Sequence, residues 1–228
     1  MATFLSAVNS VLRRLREREV SSVNDNTYAR LIGTLINDSK REVEDAHNWS
    51  HLKNTIQLTT DIGELRYSLT GSTRRFRLIQ DNMGRNAVFN DTDDIYLRKS
   101  PSTRWMSKQL NSNNVRSGTP EWFEFNGFTE DGDVIVDLYP IPDKVQTVNF
   151  DLIIPQEDFR VNGSDDSAVI KVPPNPVILC AWSKAIYERG EDAGYLSDLA
   201  YRDYQNALAD AISWDLQNTS DKIDWEVV

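Results

Sequence analysis

The sequence predicts an α+β fold: amphipathic helices from both ends form a bundle, with a central antiparallel β region of short strands. Three observations predict it. Near both ends, apolar residues recur at spacings of three and four, the period of a helix with one buried face. Between residues 54 and 155 the period changes to two, the alternation of a half-buried strand. The 228 residues are 39% hydrophobic and include 6 Trp, 8 Tyr and 8 Phe, which is enough to bury a core and excludes a disordered chain.

Residues 1–53 read as a helical hairpin. Phe4, Leu5, Val8, Val11, Leu12 and Leu15 share one face, and Thr3 precedes them as a capping residue. The opposite face carries Arg13, Arg14, Arg16 and Arg18 interleaved with Glu17 and Glu19. Such a cluster either grips phosphates or stands in water as an ion-paired face. Residues 21–26 form a polar break rich in capping side chains. A second stripe follows through Tyr28, Leu31, Ile32, Leu35, Ile36, Val43, Ala46 and Trp49.

Residues 54–155 read as the β region, with strands at 55–59, 66–69, 76–80, 87–89, 95–97, 122–125, 134–139 and 148–154. Asp131 and Gly132 mark a hairpin turn, and Pro140 ends a strand because it cannot donate to a ladder. Residues 99–119 are polar and read as a long loop. Within it Lys99, Arg104, Lys108 and Arg116 surround Trp105 and Met106, a pairing suited to docking on a neighbouring subunit or tail component. Residues 156–215 comprise a linker and two helices. Pro173, Pro174 and Pro176 open the first, whose residues 177–187 are strongly apolar around Trp182, and Gly190 closes it. Tyr195, Leu196, Leu199, Ala200, Tyr204, Leu208, Ala211 and Ile212 give the second its stripe.

Residues 216–228 form a tail. Ile223, Trp225 and Val227 alternate there with Asp224 and Glu226, the pattern of an extended segment laying one apolar edge into a groove. The expected seat is a partner protein, with folding back on its own domain as the alternative.

Recognised chemistry is scarce. His47 and His51 stand at i, i+4, but Asn48 occupies the position where a zincin carries its glutamate, and no third histidine exists. Residues 90–94 and 162–166 resemble half a calcium loop without its glycine or its closing glutamate, so both read as turns. Nucleophile-elbow, P-loop and dinucleotide fingerprints are absent. Carboxylates near Trp122, Trp182 and Trp214 do not select the pair that a glycosidase needs. The expectation is a chain that is not an enzyme and uses no cofactor or metal. One cysteine, Cys180, excludes an intrachain disulfide framework. No run approaches a membrane span, and the first residues lack the order of a signal peptide, so folding in cytoplasm without membrane is expected.

The net charge of −10 disfavours a general nucleic-acid binder, and its distribution is more informative than its total. Residues 61–120 hold 10 Lys/Arg against 6 Asp/Glu, whereas residues 121–228 hold 7 against 22. Unlike surfaces of this kind can meet between copies.

Two stretches carry a family resemblance. One is Tyr28-Ala-Arg-Leu-Ile-Gly-Thr-Leu-Ile-Asn-Asp-Ser-Lys-Arg-Glu-Val-Glu-Asp-Ala-His-Asn-Trp49. The other is Pro174-Asn-Pro-Val-Ile-Leu-Cys-Ala-Trp-Ser-Lys-Ala-Ile-Tyr-Glu-Arg-Gly-Glu-Asp-Ala-Gly194. They resemble the opening helical hairpin and the helical return of head-to-tail adaptor proteins of tailed bacteriophages, including the tail tubular protein A type. The resemblance implies a structural virion protein forming a ring, typically of twelve copies, between the portal and a tail nozzle or tube. It implies DNA passing through without specific binding, and no catalytic residues. The apolar tail edge would then dock on the portal. Two alternatives of other classes stand beside it: a β-rich binding module, with carbohydrate as a candidate ligand, using Trp105 and Trp122 on loops, and a hydrolase with an unrecognised site.

Overall fold

The computed structural model describes residues 2–79, 87–111, 115–190 and 195–218. In chain order its helices are α1 (Phe4–Arg14), α2 (Thr27–Ala46), α3 (Thr103–Leu110), α4 (Pro174–Arg189) and α5 (Tyr195–Asn218). Its strands are β1 (Lys53–Thr59), β2 (Arg66–Leu69), β3 (Arg77–Leu78), β4 (Val88–Asn90), β5 (Ile95–Tyr96), β6 (Arg98–Lys99), β7 (Trp122–Phe128), β8 (Val134–Tyr139) and β9 (Thr147–Ile153). The class is α+β. The chain divides into a helical unit, residues 1–52 with 156–228, and a β unit, residues 53–155.

In the helical unit the helices start and stop where local chemistry allows. The Thr3 hydroxyl accepts the Ser6 N–H at 3.2 Å, and the Asn26 side chain accepts the Ala29 N–H at 2.7 Å, each satisfying an orphan donor of a first turn. At the end of α1, the Glu17 N–H reaches Leu12 O (2.9 Å) and the Arg16 N–H reaches Arg13 O (3.1 Å). Arg16 itself is left-handed, φ 59°, at a position that glycine usually fills. Gly33 on α2 is needed for a close approach: a Cβ there would stand 2.9 Å from Val23 Cγ1 and 3.1 Å from Phe4 Cζ.

Helix α2 ends at Ala46, before Trp49. That tryptophan is fully buried and folds back, its indole N–H donating to Val43 O at 2.6 Å. The two histidines therefore do not share a helical face. His47 lies in extended backbone with Nε2 3.1 Å from Asp215, and His51 belongs to a 3-10 turn. Helix α4 packs on α1, α2 and α5 and buries side chains all round, which explains why its sequence lacks a polar face.

The chain returns from the β unit onto a polar ladder along α2. Lys40 and Glu44 are both fully buried, 3.7 Å apart. The Lys40 ammonium donates to the carbonyls of Gln156 (2.7 Å) and Glu157 (2.6 Å), and Glu44 accepts the Gln156 N–H. One turn earlier, the Asn37 amide exchanges two bonds with the Phe159 backbone. Buried charges are costly unless their bonding is complete, and here the partners are backbone groups that themselves need partners.

The β unit is built from two sheets. One runs β1-β9-β4-β5, with β3 also pairing β9; the other runs β2-β8-β7-β6. Alternation fixes the register, since Ile56 faces Phe150 and Leu58 faces Val148 across β1 and β9. These side chains join Leu69, Phe123, Val134, Val136 and Leu138 of the second sheet in one apolar core. Residues 99–119 do not form one long loop. They contain the end of β6 and the whole of α3, whose Ser102 hydroxyl accepts the Trp105 N–H at 3.1 Å. A helix of eight residues burying one side chain, Met106, leaves no stripe in the sequence. Among the strand pairs of the described residues β6–β7 is parallel, as is the isolated bridge Ser117–Ile141. The turn at residues 90–94 is closed by Asn90, whose Oδ1 accepts the N–H groups of Thr92 and Asp93.

Candidate assembly surfaces

Two surfaces, one on each unit, have the composition of a contact face. On the β unit, α3 lies over β7 and β8. The Trp105 ring meets Trp122 (centroids 5.3 Å apart) and Tyr139 (5.8 Å), and the Arg98 guanidinium stands 5.9 Å from the Trp122 ring. Lys99, Arg104 and Lys108 are exposed around this aromatic cluster. Arg116 is exposed as well, 3.8 Å from Glu121. The six residues singled out by sequence thus share one region with unequal roles. Met106 is only 2% exposed and anchors α3, so it offers no contact surface. Trp105 and Trp122 lie on a helix and a strand, their rings in tilted contact, so neither is a loop-borne platform for a sugar. Arg98 was not evident from the sequence, because its partner ring is reached only through the parallel β6–β7 pairing.

On the same sheet face as Trp122 and Tyr139, strand register sets Glu124 opposite Asp137, both buried. Asp137 accepts two bonds from Arg66, at 2.7 and 3.0 Å, and one from Asn126 at 2.7 Å. Glu124 accepts the Ser100 hydroxyl. Both carboxylates are occupied holding strands together.

On the helical unit, the surface belongs to α5. Its buried row is Ser197, Ala200, Tyr204 and Asp215, whereas Tyr195, Leu196 and Leu199, expected in the buried stripe, are exposed. Small residues let α5 lie close to α4, and the apolar row beside them stays outside. Asp215 explains the far end, since its carboxylate accepts the Ser50 N–H (3.1 Å) and hydroxyl (2.5 Å) and sits against His47. Trp214, next to it, is 67% exposed. A groove of about 450 Å³ runs between the start of α4 and α5, ending at Trp214. Deeper in, burial pushes the Cys180 thiol up to about 11 and the Tyr204 phenol up to about 12. Both groups stay protonated and serve packing. Ile223, Trp225 and Val227 lie outside the described residues.

Among the described residues no group of His, Cys, Asp and Glu has the clustering of a metal centre, and no helix is long and apolar enough to cross a membrane. No protein-family model matches the chain, and no curated protein matches its sequence.

Proposed function

We propose that this chain is a head-to-tail adaptor of a tailed bacteriophage, a structural virion protein whose copies form a ring between portal and tail. The observation that carries the reading is α5: a 24-residue helix with Tyr195, Leu196, Leu199, Tyr201, Trp214 and Leu216 exposed. Several large apolar side chains left exposed along one helix of a folded unit mark a surface awaiting a partner. The acidic surplus of the C-terminal half fits a channel that passes DNA without holding it, since like charge repels phosphate. In this reading the cluster of Lys99, Arg104, Trp105, Lys108 and Arg116 meets the tail nozzle or tube. The apolar edge of Ile223, Trp225 and Val227 docks on the portal. No catalytic step is assigned to any residue. Electron microscopy of particles from the source, labelled with antibody to this chain, tests the reading. A ring of label at the head–tail junction is the expected result; particles complete without the chain would overturn it.

A further inference from the structure

We propose that Arg16 and Arg18 of one copy seat in the groove between α4 and α5 of a second copy, and that this contact repeats from copy to copy. The inference rests on the ring reading above and supplies its interface.

The groove has an apolar floor of Pro174, Pro176, Leu179, Ala207 and Ala211. Asp203 and Asp210 stand on its rim and Trp214 closes one end. Among the described residues neither aspartate has an ion-pair partner, and both are exposed. An apolar floor, two carboxylates and an open indole face match arginine: the stem lies on the floor, the guanidinium takes a carboxylate and the ring receives the cation. Two turns of helix separate Asp203 from Asp210, about 10.5 Å. Two arginines one residue apart have Cα atoms at most about 7 Å apart, and their long side chains cover the remainder.

The turn that ends α1 supplies two such arginines. Arg13 pairs with Glu19 at 3.4 Å and Arg14 lies over the Trp182 ring at 5.3 Å. Glu17 pairs with Arg189. Arg16 and Arg18 are exposed and have no ion pair among the described residues. Arg16 also holds the left-handed position closing α1, where glycine would be unstrained. Strain of this kind persists where the side chain has a use.

Within one chain Arg13 and Arg14 reach Asn175 and Ile178 at the start of α4, while the turn that follows them runs on toward its end. Arg189, the last residue of α4, donates to Leu15 O and grips Glu17, so Arg16 and Arg18 lie at the C-terminal end of α4. Pro174, Pro176 and Leu179 place the groove toward the other end, about 15 to 22 Å of helix away. Each copy therefore carries one donor end and one acceptor groove at different places, the arrangement of a heterologous contact, which closes into rings or extends into filaments.

The test uses the full chain in sedimentation velocity over a concentration series. Wild type is expected to associate, more weakly as salt rises. Arg16→Asp with Arg18→Asp, and separately Asp203→Arg with Asp210→Arg, are each expected to sediment as monomers with wild-type melting curves. An equimolar mixture of the two should associate again, because every contact in an alternating assembly then joins arginine to aspartate. Trp214→Ala, independent of charge, should weaken association roughly tenfold or more. The contact is overturned if wild type stays monomeric throughout, if the swaps leave association unchanged, or if two folded swap variants fail to complement. It is overturned equally if only Arg104→Asp with Lys108→Asp abolishes association. Restored association by a chain absent from particles supports the contact and overturns the adaptor reading; a ring on particles that tolerates both swaps does the reverse.

Discussion

In the β unit, alternation sends Ile56, Leu58, Leu69, Phe123, Val136, Leu138, Val148 and Phe150 inward, and both sheets close over them. In the helical unit, α1, α2 and α4 close as well, but α5 covers one side of α4 and keeps its own apolar row outside. Of the twelve large hydrophobic side chains exposed among the described residues, six lie on α5 and four in the whole β unit. A sheet core is completed by its own alternation, since each strand has two faces and needs one cover. A bundle is completed only when its last helix finds a neighbour. The two units thus differ in what burying their surface requires: the chain alone for one, a further surface for the other.

The largest expected effects test whether both cores are closed. Phe150→Ala in the β unit and Trp49→Ala in the helical unit should each cost about 3–5 kcal/mol, because both side chains are fully buried. Denaturant titration checks this. Trp49→Ala also strips Val43 O of its donor. A loss below about 1 kcal/mol at Trp49 would mean that the helical unit repacks freely, and the comparison would break there.

Next in size is the ladder on α2. Lys40→Met should destabilise by about 3 kcal/mol, since Glu44 would remain as a buried charge and two carbonyls would lose their donor. Adding Glu44→Leu should restore a large part, because replacing both members removes the uncompensated charge. The β unit has no fully buried ion pair among its described residues, as Arg66 beside Asp137 is about half exposed. A double variant no more stable than the single one would show that the backbone bonds, not the ion pair, hold the returning chain.

How far the sequence spoke follows the same division. Periods of two and of three to four are local, so the strands, the capping residues Thr3 and Gly190, and the helices at both ends were legible. Pairings set by distant residues were not. The parallel contact of Arg98 with Trp122 and the capture of Ser50 by Asp215 join residues far apart in sequence. Helix α3 escaped because one buried methionine makes no pattern. Tyr195, Leu196 and Leu199 misled for a different reason: periodicity reports which residues share a face, and Ala200 with Tyr204 decided which face was covered. The cluster of Lys99, Arg104, Trp105, Lys108 and Arg116 was legible as a neighbourhood, whereas the burial of Met106 within it was not. Leu31 and Trp182, core positions by pattern, are only half-buried.

Alkaline pH acts on buried groups in both units. Cys180 and Tyr204 have folded values raised by burial to about 11 and about 12, against 9.0 and 10.0 for the free groups. Between these limits the unfolded chain releases protons that the folded chain holds, so stability is full below pH 9 and falls as pH rises through 9 to 12. The β unit has a group of the same kind in Tyr67, also raised by burial. Melting curves from pH 7 to 11, with Cys180→Ser as the control that removes the first contribution, are expected to show the loss beginning near pH 9. A Cys180→Ser chain with an unchanged alkaline profile would assign the loss elsewhere.

A smaller effect of opposite sign is expected at Arg16. Glycine in its left-handed position relieves backbone strain, so Arg16→Gly should stabilise the isolated chain by about 0.5–1 kcal/mol while weakening its association. Thermal melts and sedimentation read the two quantities separately. Loss of stability would show that the Arg16 side chain supports its own fold.

The smallest effect sharpens the comparison most. Leu199 on α5 and Leu138 on β8 are the same residue type, the first 48% exposed and the second fully buried. Leu138→Ser places a hydroxyl in the β core and removes a buried side chain, a loss of several kcal/mol by the cavity and desolvation costs together. Leu199→Ser removes an apolar group already in water, and chemical denaturation of the monomer should register less than about 0.5 kcal/mol. Its effect should appear elsewhere, as weaker self-association and higher solubility, because the apolar row it interrupts no longer seeks cover. Measured together at matched concentration, the two variants state what each leucine is for. Leu138→Ser reports on folding alone, and Leu199→Ser on assembly alone. A Leu199→Ser chain that loses stability as Leu138→Ser does would mean that α5 is already covered within the monomer, and the difference between the two units would disappear.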